Sequence, residues 1–150
     1  MGRIVVGLDG SQPSLLALEW ACNEARLRHD TLELVSSWSL PAVSSAGLSD
    51  EVIEALRAGA QEAAEAGRRR AAQLAPGIEV SVTVDRGQPA RILVARAHGA
   101  DLLVLGSRGL GGFTALLLGS VSHACSQHSP VPVVIVRGEE AAATPGVPAA

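Results

Sequence analysis

The sequence predicts an α/β fold, a parallel and doubly wound sheet with helices on both faces. Short runs of valine, isoleucine and leucine alternate with longer segments of helical composition, and this alternation is the pattern of βαβ units with right-handed crossovers. One of these runs, Leu102–Leu105, leads directly into a glycine-rich stretch over residues 106–120. A buried strand followed by glycines is typical of a parallel sheet that carries a ligand loop at its carboxyl edge. A length of 150 residues suits one such domain.

The first strand and the first helix are predicted within residues 4–28. Ile4–Leu8 is an apolar, largely β-branched run that Asp9-Gly10-Ser11 bounds, so a buried strand is expected. Pro13 stands where helices commonly begin, with Ser11 as the capping residue. Helical spacing predicts a core-facing stripe on this helix, which ends near Arg28. The stripe comprises Leu15, Leu18, Cys22, Ala25 and Arg26.

The middle of the chain supplies two more strands and one long helix. Leu32–Trp38 is predicted as the second strand, and the following residues 41–49, rich in Ser, Ala, Pro and Gly, as a loop. A helix is expected from about Ser49 to Leu74, with acidic residues in its first turn. Apolar and polar residues alternate over Ile78–Val84, which predicts a strand with one wetter face at the edge of the sheet.

The last third of the chain repeats the alternation of helix and strand. A short helix is expected over Ala90–His98, the fourth strand over Leu102–Leu105, a helix over Val121–Gln127 and the fifth strand over Val131–Val136. Residues 138–150 consist mainly of Ala, Pro, Gly and Glu and are predicted to form a disordered tail. Residues 1–137 are therefore expected to be the folded domain.

The composition excludes several classes of function. The formal net charge is −3 and aromatic residues make up 2% of the chain, which argues against a general nucleic-acid binder. All 12 positively charged residues are arginines, so mechanisms that need a lysine, such as a Walker-A phosphate loop or a Schiff base, are excluded. No apolar run approaches the ~18 residues of a membrane span and no signal-peptide pattern is present, so a cytoplasmic location is expected.

Other conspicuous residues are interpreted as structural. Cys22 and Cys125 are far apart in the sequence and are expected to be buried in helices. The run Arg68-Arg69-Arg70 is interpreted as a solvated helix end, because three adjacent residues cannot share one helical face. The histidines, at positions 29, 98, 123 and 128, do not have the spacing of a metal site, and no hydrolase triad is indicated.

The carboxyl edge of the sheet is the predicted ligand site. With strand order 3-2-1-4-5 the order reverses between strands 1 and 4, and ligands of such sheets bind at that point. These strands end in Asp9 and Gly106, so a carboxylate and a glycine loop are expected to line one crevice. The glycines and the start of the last helix would bind an anion through backbone N–H groups. Ser120 is expected to cap that helix and to offer its hydroxyl to a phosphate oxygen.

Three segments of the chain resemble the universal stress protein family. The pattern G-x2-G-x9-G-S, formed by Gly106, Gly109, Gly119 and Ser120, resembles the nucleotide-binding signature of that family. The opening run over residues 4–11 and the closing run over residues 132–137 are similar to the family at the same relative places. The resemblance extends over residues 3–137 and implies a Rossmann-like sheet related to the adenine nucleotide alpha hydrolases.

The resemblance implies a protein that binds ATP or another adenine nucleotide in a stress-response or regulatory role, without enzymatic turnover. Asp9 would accept hydrogen bonds from ribose hydroxyls or meet a phosphate-bound Mg²⁺, and Arg108 would pair with phosphate. A homodimer through the last strand, Val131–Val136, is also implied, since in resembling proteins this strand pairs across a two-fold axis. The residues that the resemblance implies in the site are Gly7, Asp9, Ser37, Gly106, Arg108, Gly109, Gly111, Gly119, Ser120, Val121 and Ser122.

Two alternatives remain open on the sequence, namely slow ATP hydrolysis and a nucleotide-free interaction module whose loop has become structural. A cyclic nucleotide is also compatible with the motif. Many resembling proteins carry a small apolar residue preceded by a histidine where this chain has Ser36-Ser37, so adenine specificity does not rest on this position. Trp38 is a candidate for stacking on a ligand, although core packing is expected.

Overall fold

The computed structural model describes residues 1–41, 47–108 and 118–138, which form a five-stranded parallel sheet between two layers of helices. The strands are β1 (Arg3–Gly7), β2 (Thr31–Trp38), β3 (Val80–Arg86), β4 (Leu102–Gly106) and β5 (Val133–Val136). The helices are α1 (Gln12–Arg28), α2 (Asp50–Leu74), α3 (Pro89–Ala97) and α4 (Ser120–His128). Of the predicted tail, residues 139–150 lie outside the described residues.

The strand order is β3-β2-β1-β4-β5, which confirms the predicted fold class. β1 is the central strand and pairs with β2 on one side and with β4 on the other, with Val6 opposite both Leu34 and Val104. The strands that follow β1 are thus added first on one side of it, as β2 and β3, and then on the other side, as β4 and β5. The crevice outside the carboxyl ends of β1 and β4 is the place where this architecture binds ligands.

Two hydrophobic cores lie on the two faces of the sheet. Side chains alternate along a strand, so Ile4 and Val6 pack under α1 and α2, whereas Val5 packs under α3 and α4. All three are fully buried. Because helices cover both faces of such a strand, neither face contacts solvent, and the corresponding runs in the sequence are continuously apolar.

The two long helices begin at serine caps with nearly the same backbone geometry. Ser11, at φ −76° and ψ 159°, accepts a hydrogen bond from the Ser14 N–H. Ser49, at φ −75° and ψ 158°, accepts one from the Val52 N–H. Both starts confirm the predicted helix boundaries.

The buried face of α1 differs from the predicted stripe at two positions. Arg26 is exposed and Leu15 is only partly buried, and the inward positions are filled mainly by small residues. Small side chains allow the helix axis to approach the sheet closely, which a long arginine at the contact would prevent. The buried residues of α1 are Ser14, Ala17, Leu18, Ala21, Cys22 and Ala25.

Two strands begin later than the sequence pattern predicts. Ile78 lies in a turn, where its N–H donates to the carbonyl of Ala75, and β3 starts at Val80. The fifth strand was expected from Val131, but there the Ser129 hydroxyl bonds the Val131 carbonyl at 2.8 Å and the strand starts at Val133. In both cases local turn hydrogen bonds compete with the ladder at the end of an apolar run.

A buried carboxylate lies within the apolar second strand. Glu33 has a side chain that is 3% exposed, and the guanidinium groups of Arg3 and Arg96 both pair with it. The Thr83 hydroxyl donates to the same carboxylate at 2.7 Å. A charge removed from water needs such partners, and these ones link β1, β2, β3 and α3 at the end of the sheet away from the crevice.

The arginine run on α2 is solvated, as the sequence indicates. Its three side chains pair with acidic residues over distances of 2.7–3.6 Å, and each remains about half exposed or more. Exposed pairs of this kind contribute little to stability. The pairs are Arg68 with Glu65, Arg69 with Glu62, and Arg70 with Glu19.

Candidate functional site

A cavity of about 320 Å³ opens at the carboxyl ends of β1, β2 and β4. Its volume lies within the range of small-molecule sites, and it occupies the predicted point where the strand order reverses. Every predicted site residue that the structure describes lines this cavity, namely Gly7, Asp9, Ser37, Gly106, Arg108, Gly119, Ser120, Val121 and Ser122. The other two predicted residues, Gly109 and Gly111, lie outside the described residues.

The amino terminus of α4 forms one end of the cavity. Gly119 is the N-cap and has no side chain to accept the first N–H groups of the helix. The sequence prediction that Ser120 caps this helix is therefore wrong, because Ser120 is its first helical residue. An uncapped helix start presents backbone donors and a partial positive charge to the cavity.

Hydrogen bonds hold the start of α4 against the end of β4. The Gly119 N–H donates to the Ser107 carbonyl at 2.6 Å. The Ser122 hydroxyl, 3% exposed as a residue, lies 3.0 Å from each of the carbonyl oxygens of Gly106 and Ser107. The hydroxyl proton of Ser122 therefore serves to position the helix start beside the strand.

Asp9 lies on the opposite side of the crevice, just beyond the end of β1. Its Oδ1 accepts hydrogen bonds from the Ser11 N–H at 2.9 Å and from the Ser11 hydroxyl at 2.5 Å. Gly10 between them has φ +85°, a conformation that glycine adopts without strain. This Asx-type turn fixes the direction of an exposed carboxylate at the cavity wall.

Gly7 and Gly106 are required for two different close approaches. A Cβ atom at Gly7 would lie 2.7 Å from Leu105 Cδ2 and 3.1 Å from Leu93 Cδ1, under the floor of the cavity. A Cβ atom at Gly106 would lie 2.6 Å from the backbone carbonyl carbon of Pro13. The first glycine of the motif therefore lets α1 begin close to β4, which brings Asp9 and the α4 start to one crevice.

Ser36 and Ser37 project to opposite faces of β2, as neighbours in a strand do. Ser36 is buried and its hydroxyl donates to the Leu8 carbonyl at 2.8 Å, whereas Ser37 lines the cavity. Trp38, the next residue, is not among the residues that line the cavity, and Arg86 lies 5.5 Å from its ring centroid. The stacking candidate is thus engaged in a cation–π contact at the end of β2.

The sequence reasoning missed six cavity residues, most of them apolar. Val35 and Leu93 come from β2 and α3, and Pro89 is the first residue of α3. In the sequence they look like ordinary core positions, and only the packing of α3 on the sheet brings them together. The six are Leu8, Ser14, Val35, Pro89, Leu93 and Leu105.

The two cysteines of the chain are buried in the described structure. Burial raises the pKa of the Cys22 thiol and of the Cys125 thiol to about 11, so neither is a ready nucleophile. Within residues 1–41, 47–108 and 118–138 there is no group of three His, Cys, Asp or Glu side chains that could hold a metal ion. In the same ranges no helix has the length and apolarity to cross a membrane.

A sequence model of the universal stress protein family matches residues 1–137 of the chain. The chain belongs to this family. Universal stress protein YxiE of Bacillus subtilis is 30% identical over 147 residues, which cover 90% of this chain and 98% of that relative. Universal stress protein Rv2623 of Mycobacterium tuberculosis is 34% identical over 143 residues, which cover 89% of this chain and 44% of that relative. The chain thus spans about half the length of such mycobacterial relatives.

Two solved structures of universal stress proteins share this fold and contain nucleotides. One is a complex with cAMP, with a TM-score of 0.70 and 26% identity over 90% of this chain and 96% of the other. The second is the protein from Archaeoglobus fulgidus in complex with dAMP, with a TM-score of 0.66 and 25% identity over 91% and 98% of the two chains.

Proposed function

We propose that this universal stress protein binds an adenine nucleotide in the cavity and serves a regulatory role in a stress response. One observation carries the proposal: a single cavity brings together an uncapped helix start, an arginine and a fixed carboxylate at the point where the strand order reverses. These are the groups that an anionic phosphate and a ribose require.

The α4 end of the cavity is suited to the phosphates. The N-cap residue Gly119 offers no side chain to the first N–H groups of α4, so a bound phosphate could accept hydrogen bonds from them. Arg108 lines the same end and can offer a planar fork of donors. Because the chain contains no lysine, a phosphate would be held by backbone donors, arginine and hydroxyl groups such as that of Ser120.

The ribose and the base would then lie across β1 towards β2 and α3. Adjacent strands are ~4.8 Å apart, so the ends of β4 and β2 are about 10 Å apart with Asp9 between them, a span that a nucleoside phosphate covers. The walls at the β2 side are Val35, Pro89 and Leu93, which suit a flat aromatic base. The solved relatives that hold cAMP and dAMP favour adenine as that base.

A magnesium ion carried by the phosphates is the alternative to the ribose hydroxyls as the partner of Asp9. Mg²⁺ is commonly held by one or two carboxylates and the phosphates of a substrate, and Asp9 is a cavity carboxylate of the described residues that fits this role. The ion would screen the charge between Asp9 and the phosphates. Binding of ATP with and without a chelator measures this contribution.

We favour binding over turnover as the main activity. The carboxylate of Asp9 is held by two hydrogen bonds from Ser11, so it is arranged as a fixed acceptor, and the chain has no lysine for the transferring phosphate. Slow ATP hydrolysis is the competing function. ATP turnover that survives repurification and falls in an Asp9→Ala variant would support hydrolysis.

A homodimer through the last strand is part of the proposal. β5 is an edge strand, and its four residues are each partly exposed. An apolar edge with unpaired backbone groups is a surface that proteins normally cover. A second copy of the chain would supply a matching strand.

The test measures the nucleotide that co-purifies with the protein, by acid release and chromatography, and then the melting temperature with ATP. A ligand at ~100 times its Kd stabilises the folded state by ~2.7 kcal/mol, which raises the melting temperature of a domain of this size by about 5–10 °C. An empty protein whose melting is unchanged by ATP, ADP, AMP and cyclic AMP would refute the proposal and leave the nucleotide-free module.

The Gly119→Val variant tests whether the phosphates bind at the start of α4. Gly119 has φ −69°, which every residue tolerates, so the fold should persist while the new side chain occupies the phosphate end of the cavity. ATP affinity should fall stepwise from wild type through Gly119→Ala to Gly119→Val. Wild-type affinity in the valine variant would refute the placement of the phosphates at α4.

A further inference from the structure

We propose that Ser11 is a positioning residue for nucleotide binding, which it supports by holding the Asp9 carboxylate towards the ribose. This inference rests on the proposed function and assigns a role to a residue that does not itself line the cavity. Ser11 is 8% exposed and lies behind Asp9, at the start of α1.

The Ser11 hydroxyl makes two hydrogen bonds of opposite sense. It donates its proton to Asp9 Oδ1 at 2.5 Å, and it accepts from the Ser14 N–H at 3.4 Å. The shorter bond goes to a charged oxygen, and charge-assisted bonds are the stronger class. The contact to Asp9 is therefore the stronger of the two, and the cap of α1 is the weaker.

The surroundings make this hydroxyl a rigid support. The Ser14 hydroxyl and the Leu15 N–H both donate to the Ser11 carbonyl, at 2.9 Å and 3.2 Å. The Ser11 N–H also donates to Asp9 Oδ1. Asp9 Oδ1 is thus fixed by two donors on one well-anchored residue, and the carboxylate plane is set before any ligand arrives. Such preorganisation lowers the cost of binding.

Ser49 provides a matched control for the capping role. It caps α2 with backbone angles within one degree of those of Ser11 and accepts from the Val52 N–H at 3.3 Å. Among the residues that the structure describes, the hydrogen bonds of the Ser49 side chain include none to a carboxylate. Replacement of a serine N-cap by glycine costs only a few tenths of a kcal/mol, so glycine at either position removes the hydroxyl with little loss of helix stability.

The experiment compares wild type with the Ser11→Gly, Ser11→Thr and Ser49→Gly variants. Binding of ATP and of 2′,3′-dideoxy-ATP is measured by calorimetry on the full chain, beside urea denaturation. We expect Ser11→Gly to weaken ATP binding about tenfold, which corresponds to loss of one hydrogen bond to a charged group. Binding of the dideoxy nucleotide should stay within about twofold of wild type, because that ligand has no hydroxyl for Asp9 to accept. Ser11→Thr keeps the hydroxyl and should restore ATP binding, and Ser49→Gly should bind both ligands as wild type does.

Three results would overturn the assignment. Unchanged ATP affinity in Ser11→Gly would show that Asp9 needs no support from the hydroxyl. An equal loss for ATP and the dideoxy nucleotide would place the effect away from the ribose. Failure of the wild type to bind ATP at all would refute the proposed function and this inference with it. The first two results, in contrast, are obtained with a wild type that does bind ATP.

Discussion

Replacement of the two glycines within α2 by alanine should have opposite effects on stability. Gly59 and Gly67 occupy the same long helix, two turns apart. A Cβ atom at Gly59 would meet no atom within 4 Å, whereas one at Gly67 would lie 2.3 Å from Leu8 Cδ1 and 3.4 Å from Leu34 Cδ1. Gly67 therefore marks the place where α2 presses on the sheet, and Gly59 is an ordinary exposed helix position.

The magnitudes follow from two competing terms. Glycine in a helix interior is less favourable than alanine by about 1 kcal/mol, so Gly59→Ala should raise the free energy of unfolding by up to that amount. Gly67→Ala gains the same term but adds a methyl group to a filled core, which costs about 1–3 kcal/mol. Leu8 is 4% exposed and belongs to the core under α1 and α2, so the packing cost should persist, and the net change should lie between zero and about 2 kcal/mol of destabilisation.

Urea denaturation followed by circular dichroism measures both variants against wild type. The difference in the free energy of unfolding between the two variants cancels the helix propensity of alanine and leaves the packing cost at Gly67. If Gly67→Ala stabilises the protein as much as Gly59→Ala does, then α2 does not approach Leu8 as closely as described. A loss of stability in Gly59→Ala would show instead that this position is not an exposed part of the helix.

Three further predictions concern the buried carboxylate, the sheet edge and the cysteines. Glu33→Ala should lower the free energy of unfolding, measured by urea denaturation, by ~2 kcal/mol, which is less than the ~3–5 kcal/mol of a fully buried pair. The loss is smaller because the side chains of Arg3 and Arg96 are 32% and 44% exposed and can rehydrate. An unchanged midpoint of urea denaturation would contradict the packing around Glu33. If the proposed dimer forms through β5, Ile135→Pro should sediment as a monomer in analytical ultracentrifugation where wild type sediments as a dimer. The carbonyls of Pro132 and Val136 face β4, so alternation turns the Ile135 N–H outward, where proline would remove it. A variant that sediments like wild type would exclude this edge as the interface. Burial raises the pKa of both cysteine thiols from 9.0 to about 11, so below pH 9 the folded and the unfolded chain both keep these protons. Between pH 9 and 11 the unfolded chain releases them first, and the free energy of unfolding should fall. In a variant with both cysteines replaced by alanine, this part of the fall should be absent.

The fold could be predicted from the sequence because local patterns agree with one another. The caps at Ser11 and Ser49, the proline after the first cap and the continuous apolar strands all specify the elements that the structure contains. Element ends were less accurate, as at Val131, because the hydroxyl of Ser129 takes the backbone groups that the strand pattern assigns to the ladder. Such side-chain competition leaves little trace in hydropathy.

The candidate site could be predicted in its polar part and not in its apolar part. Asp9 and the α4 start follow directly from strand ends and glycines, which are local signals. Val35 and Leu93 are far apart in sequence and meet only because α3 crosses the sheet, so no local pattern contains the cavity wall. The sequence does contain an indication of the hydrogen bonds between Ser11 and Asp9, since Asp-Gly-Ser is a common Asx-turn sequence. The indication was missed because the predicted helix-capping role already accounted for a serine at position 11.

The two ends of α3 are held in different ways, and this sets how the helix can respond to a ligand. Arg96 in its last turn is tied to the buried Glu33, whereas Pro89 at its first position and Leu93 at its middle border the cavity. A nine-residue helix is about 13 Å long, so a contact at one end is far from a contact at the other. We therefore expect α3 to adjust to an occupied cavity by a tilt about its carboxyl end, with little sliding along the sheet. Hydrogen exchange at the amides of residues 92–94 should then change more on occupancy than exchange at residues 95–97.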